Sequence, residues 1–174
     1  MPVSGTYTID PIHSNVGFSL RYGGVGWFGA SFESPTGTLD VTDSGIKLVG
    51  SAPVESISIR LDPFRGHLFS ADFFDTANHP EIGFTSTKVD LAESGKATVE
   101  GDLTVRGTTK PITASGTWEG PVEGLGGPRV WLSVETKIDR FDYGLAWGVE
   151  LPGGGLAAGR EVTLNIDLVL APAE

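Results

Sequence analysis

Toward its end the chain alternates almost without fault: Val162, Leu164, Ile166, Leu168 and Leu170 fall on one parity, with Glu161, Thr163, Asn165 and Asp167 between them. A period of two is the mark of a half-buried β-strand. The habit recurs along the chain. Val16, Phe18, Leu20 and Tyr22 alternate with Asn15, Gly17, Ser19 and Arg21, and Ala97, Val99, Gly101, Leu103 and Val105 with Thr98, Glu100, Asp102 and Thr104. After a turn around 106–109, Ile112, Ala114, Gly116 and Trp118 continue it, and Val130, Leu132, Val134 and Ile138 follow with Ser133, Glu135 and Lys137 outside. These are antiparallel strands with one apolar and one solvated face.

The pattern predicts strands over 6–10, 14–22, 27–41, 46–61, 82–91, 97–106, 111–119, 129–140 and 160–170. Ser34-Pro35 interrupts the third at a bulge or an edge, because proline cannot donate to a ladder, and Ala52-Pro53 does the same in the fourth. Residues 66–80 lack clean alternation and close on Pro80, which fits a short helical or irregular crossing. The stretches 120–128 and 151–155 read as loops rich in glycine and proline. No repeat of fixed period is present. About eight long strands with short connections fit either a closed up-and-down barrel or a sandwich. Runs of about ten residues between turn signals favour the tilted barrel, since sandwich strands turn every ~8–12 residues. A barrel of about eight strands encloses a packed core or one small ligand.

Composition narrows the function. At 174 residues the chain suits one well-buried domain. A net charge of −10 repels phosphate backbones and anionic membrane surfaces, which argues against nucleic acid as a partner. With no cysteine there is no disulfide, thiolate metal site or cysteine nucleophile. Met1-Pro2-Val3-Ser4-Gly5 lacks the basic and apolar regions of a secretory signal, and no apolar run reaches transmembrane length. The expectation is therefore a cytoplasmic protein without stable membrane insertion; a signal removed beforehand would make it periplasmic or secreted. Oligomeric state stays open, a homodimer among the options.

Four groups of residues carry a family resemblance. Asp10-Pro11-Ile12-His13-Ser14 comes first, then His67-Leu68-Phe69-Ser70-Ala71-Asp72-Phe73-Phe74-Asp75 with His79-Pro80-Glu81-Ile82-Gly83-Phe84. Gly101-Asp102-Leu103-Thr104-Val105-Arg106-Gly107-Thr108-Thr109-Lys110-Pro111 and Arg140-Phe141-Asp142-Tyr143-Gly144 complete the series. In order and spacing they resemble the signatures of the YceI-like family across nearly the whole chain. The resemblance implies an all-β fold, an antiparallel eight-stranded lipocalin-like barrel with a short helical segment. It also implies a long apolar guest, a polyisoprenoid or another amphiphilic lipid, inside the barrel. Two departures stand out: Arg65 where the family has an acidic residue two before the histidine of its His-Leu motif, and Ala30 where it has glycine. Both bear on the charge and shape expected at the pocket mouth.

Phe18, Leu20, Phe28, Phe32, Phe73, Phe74, Phe84, Leu103, Trp118 and Trp147 are the candidate cavity lining, with Arg140 as a candidate for a phosphate head group or a structural ion pair with Asp142. The competing reading has these side chains simply filling the barrel. Ten methylene equivalents withdrawn from water would contribute roughly 8 kcal/mol before association costs. His13, His67 and His79 lack HxH or HExxH spacing, so hydrogen bonding of turns, with Asp10, Asp72 and Asp142 as partners, is preferred to a metal site. Asp10, His13 and Ser14 do not form a hydrolase triad, because neighbours on a strand face opposite ways. Gly153-Gly154-Gly155 lacks the lysine of a phosphate loop. The expectation is a lipid-binding protein with no cofactor, metal or catalytic residue; the alternatives are a packed interaction barrel without ligand and a small-molecule enzyme on the same scaffold.

Overall fold

A computed structural model describes residues 2–59, 62–124 and 127–173. Among the described residues ten strands form: β1 (Gly5–Ile9), β2 (Asn15–Tyr22), β3 (Gly26–Phe32), β4 (Thr36–Thr42), β5 (Gly45–Pro53), β6 (Glu81–Leu91), β7 (Lys96–Val105), β8 (Thr108–Gly124), β9 (Gly127–Asp139) and β10 (Ala158–Pro172), with one α-helix, α1 (Asp62–Phe69). Every pairing is antiparallel, in the order β1-β4-β5-β6-β7-β8-β9-β10-β2-β3, and β1 also pairs with β10. That last pairing closes the sheet.

Ten strands make eight wall positions, because two positions are each built from two consecutive strands. β10 pairs along one edge with both β1, at Leu170–Pro172, and β2, at Ala158–Asp167, so β1 and β2 are one broken strand. β3 and β4 pair with β2 and β1 in turn and form the next position. The first break is an Asp turn: Asp10 Oδ1 accepts from the backbone N–H groups of Ile12 and His13, and Asp10 Oδ2 lies 2.8 Å from His13 Nδ1. The second falls at Ser34-Pro35, where the sequence placed an interruption.

Three expectations need correcting. The fourth predicted strand ends at Pro53, and residues 54–56 form a 3₁₀ turn, because Ser56 Oγ donates to the Pro53 carbonyl (2.7 Å) and turns the chain out of the ladder; Arg60 and Leu61, the end of that predicted strand, lie outside the described residues. The helical segment lies earlier than 66–80: Asp62 and Pro63 open it and only turns follow Phe69. Residues 120–124 and 127–128 are not loop but strand, continuing the β8–β9 hairpin beyond a register shift between Glu119 and Val122; Leu125 and Gly126 lie outside the described residues.

The interior is filled unevenly along the axis. At the end holding the β4–β5 and β6–β7 turns, Tyr7, Leu39, Val41, Leu91, Ala97, Trp118, Val130 and Leu170 meet in a solid plug. At the other end Val54, Ile57, Leu68, Phe74, Tyr143 and Leu145 form a second cluster under α1 and the loop after β9. The middle is hollow.

Tyr143 is buried with its hydroxyl unpartnered, and burial pushes its pKa up to about 12. A phenol that ionises more readily when unfolded contributes stability that is full below about pH 10 and is lost as pH rises toward the folded value. Tyr143→Phe removes an unsatisfied buried hydroxyl, so it should be neutral or stabilising at pH 7. Urea unfolding from pH 7 to 11.5 checks this: the wild type should lose stability above pH 10 more steeply than the variant, and parallel curves would refute the assignment.

Candidate functional site

The hollow is an apolar cavity of about 260 Å³, roughly twenty times the ~10–15 Å³ that one water requires. It is long and narrow: on β10 alone its wall runs from Val162 through Leu164 and Ile166 to Leu168, about 20 Å along the strand. The alternation explains the wall, because the inward parity of each strand is hydrocarbon: Val16, Phe18 and Leu20 on β2, Leu48 and Ala52 on β5, Ile82 and Phe84 on β6, Leu103 and Val105 on β7.

Of the candidate residues, Phe18, Leu20, Phe28, Phe32, Phe73, Phe74, Phe84, Leu103, Trp147 and Arg140 all line this cavity. Trp118 does not; it belongs to the plug at the closed end, where its indole N–H donates to the Ala92 carbonyl (2.8 Å). The sequence reasoning missed Phe64 and His67, which α1 brings to the mouth, and Tyr22 at the end of β2. Phe64 stands edge-on to Phe28 (5.8 Å between centroids) and Phe32 edge-on to Phe74 (6.3 Å), so the helix side of the mouth is sealed by rings. His67 meets Trp147 at 4.5 Å, joining α1 to the loop after β9. The His67 Nε2 atom is buried without a hydrogen-bond partner.

Arg140 is the cavity's cation, and its donors are already engaged. Nε donates to Gly159 O (2.9 Å), Nη1 to Leu145 O and Trp147 O, and Nη2 to Ala158 O (2.9 Å). Four of its five N–H groups thus hold the loop after β9 against the start of β10. Burial lowers its pKa from the ordinary arginine value, opposed by the charge of Asp139. The ion pair expected between Arg140 and Asp142 is not formed. Asp139 pairs instead with Arg160 (Nη2 to Oδ2, 2.5 Å), which holds the Asp139 carboxylate below its usual range. Arg140 is therefore a staple of the mouth, with little left to grip a phosphate.

The two departures from the family pattern stay outside the cavity. Arg65 donates to Glu55 O (3.1 Å) and lies over the Phe69 ring, and Ala30 packs against the cluster under α1. The histidines separate. His13 pairs with Asp10; His79 lies 4.0 Å from Asp75, not Asp72, and its ring fills the space over Gly107, where a Cβ would come within 2.6 Å. Gly107 and Arg106 both have positive φ in the tight β7–β8 turn, and Arg106 donates to Gly144 O and Ala71 O (2.7 and 2.6 Å), bracing the mouth from that side. Ser14 Oγ accepts from Val169 N–H (2.9 Å), a wall contact. Among the described residues no cluster of His, Asp and Glu is arranged to hold a metal, and no helix is long and apolar enough to cross a membrane.

A closed antiparallel barrel of eight wall positions with an apolar hollow and a helix over its mouth defines a lipocalin-like class of fold. The YceI-like domain matches residues 7–170, and the chain belongs to that family. It is 30% identical over 149 residues to protein YceI of Escherichia coli O6:H1, covering 82% of this chain and 78% of that one. It is 28% identical over 170 residues to a UPF0312 protein of Vibrio campbellii, covering 92% and 85%. Among solved structures, BcnA of Burkholderia cenocepacia superposes with a TM-score of 0.76 at 18% identity, over 92% of this chain and 98% of that one. A polyisoprenoid binding domain from Saccharophagus degradans superposes with a TM-score of 0.75 at 18% identity, over 96% and 98%. At such identities these likenesses establish the fold.

Proposed function

We propose that this protein is a non-enzymatic carrier that takes up one long apolar chain, an isoprenoid or a related amphiphilic lipid, inside its barrel. The observation that carries the reading is the narrow hydrocarbon-walled cavity of about 260 Å³ between a solid plug and an aromatic mouth. Its shape suits a single flexible chain, and each methylene withdrawn from water contributes about 0.8 kcal/mol. The lining is hydrocarbon apart from Tyr22, Thr36, Ser51, His67 and Arg140, whose guanidinium is engaged by backbone carbonyls, and that predominance of hydrocarbon supports holding a guest over transforming it. The solved relative described as a polyisoprenoid binding domain, with the same fold, supports the class of guest.

Native mass spectrometry tests the proposal. Protein purified without detergent should carry a co-purifying amphiphile or, once delipidated, should bind a prenyl alcohol such as geranylgeraniol one to one. Protein that is repeatedly empty and takes up neither prenyl alcohols nor fatty amphiphiles would overturn it.

A further inference from the structure

The large exposed apolar side chains are not scattered evenly. Five of them, Val25 (85% exposed), Trp27 (66%), Tyr22 (56%), Val149 (53%) and Trp147 (40%), lie on two segments at the open end: the β2–β3 hairpin tip and the loop after β9. These segments are joined. Gly23 N–H donates to Ala157 O (2.8 Å), Ala157 N–H donates to Val149 O (2.8 Å), and Tyr22 pairs with Ala158. Tyr22 and Trp147 also line the cavity and so join the exposed rim to the interior, while Trp27, opposite Arg21, stands on the outward face of the hairpin tip.

Charge is withheld from the same place. Arg21 is the sole charged residue between Val16 and Phe32, and Glu150 the sole one between Tyr143 and Arg160, in a chain whose charged residues make up 20% and sum to −10. Arg21 lies over the Trp27 ring (5.0 Å). The rim is thus near neutral on an acidic protein. Isolated exposed apolar residues need no explanation, but a contiguous group rimming a cavity does.

We propose that this rim docks on the neutral surface of a lipid bilayer, so that cargo passes from membrane to cavity without crossing water. Trp and Tyr beside an arginine suit the headgroup boundary, whereas the protein's net charge works against anionic surfaces. The proposal rests on the carrier reading for its cargo, but docking can be measured by itself.

The test compares the wild type with the triple variant V25S/W27S/V149S, whose substituted residues are exposed and off the cavity wall. With phosphatidylcholine vesicles, the wild type should co-float and the triple variant should not, and replacing a third of the lipid by phosphatidylglycerol at low salt should weaken flotation. Uptake of geranylgeraniol from vesicles should be at least about tenfold slower in the variant, while binding of geranylgeraniol added from ethanol without vesicles should agree within about twofold. Wild type that does not float, or equal uptake rates, would overturn docking and leave the rim to a protein partner. Wild type that floats yet binds no geranylgeraniol would instead overturn the carrier reading and leave docking standing.

Discussion

Gly50→Phe is expected to weaken lipid binding on the order of a hundredfold while leaving the barrel folded. Gly50 lies on β5 at the inward parity of Leu48 and Ala52 and lines the cavity. A Cβ built there would meet only the Thr36 carbonyl at 3.4 Å and Ile9 Cδ1 at 3.7 Å, ordinary contacts, and its backbone φ is not of the positive kind that disfavours a side chain. The ring therefore extends into the hollow. Glycine in a strand interior costs roughly 0.5–1 kcal/mol relative to alanine, so the substitution also strengthens the strand. A phenyl group displacing about four methylenes of guest removes about 3 kcal/mol of transfer free energy, on the order of a hundredfold in affinity. Titration with geranylgeraniol and thermal unfolding check the two halves: affinity should collapse while the midpoint holds or rises. A folded variant that binds as tightly as wild type would show that the guest does not occupy this cavity. Leu164→Trp, which enlarges a wall residue on β10 beside the same hollow, should act in the same direction.

What the sequence revealed about this site, and what it hid, follows from what alternation encodes. Parity tells which way a side chain faces but not whether anything stands opposite. Leu164 and Leu170 on β10 share one parity and read identically, yet Leu170 is buried in the plug and off the cavity wall while Leu164 lines the void. Trp118 and Trp147 are equal candidates by type; only the fold, in which Trp118 donates to Gly95 O and Ala92 O of the β6–β7 turn, puts the first on the plug side. The break at Ser34-Pro35 was legible because proline lacks the N–H a ladder requires. The extent of β5 was not, since the apolar positions beyond Pro53, Val54 and Ile57, are buried by a turn rather than a strand. The neutral rim escaped notice because Gly23, Gly24 and Gly26 disrupt the alternation there, and because its second half arrives from more than a hundred residues away. Arg140 was visible within a signature, but its role depends on carbonyls from Leu145 to Gly159 that a linear reading does not bring together.

Arg140→Met is the substitution expected to cost the most stability. The guanidinium is buried with no carboxylate among the described residues at ion-pair distance, and backbone carbonyls balance it. Methionine keeps much of the aliphatic bulk but leaves the carbonyls of Leu145, Trp147, Ala158 and Gly159 without their donor. An unsatisfied buried acceptor costs about 1–3 kcal/mol, tempered where water enters. Relaxation of the loop should therefore hold the total near 3–5 kcal/mol, a large share of the roughly 5–15 kcal/mol that keeps a domain folded. Arg140→Lys, with a point charge in place of a fork, should recover only part of it. The local consequence follows from the same bonds: once Trp147 is no longer tied to β10, the His67–Trp147 contact across the mouth loosens and a bound lipid leaves faster. Urea unfolding gives the stability loss, hydrogen exchange of the amides from 145 to 159 shows whether it is centred on the loop, and stopped-flow release of a fluorescent prenyl probe reads the mouth. A loss below about 1 kcal/mol with unchanged exchange would mean that the loop is held by its other contacts. Arg140 would then be free to serve a head group after all.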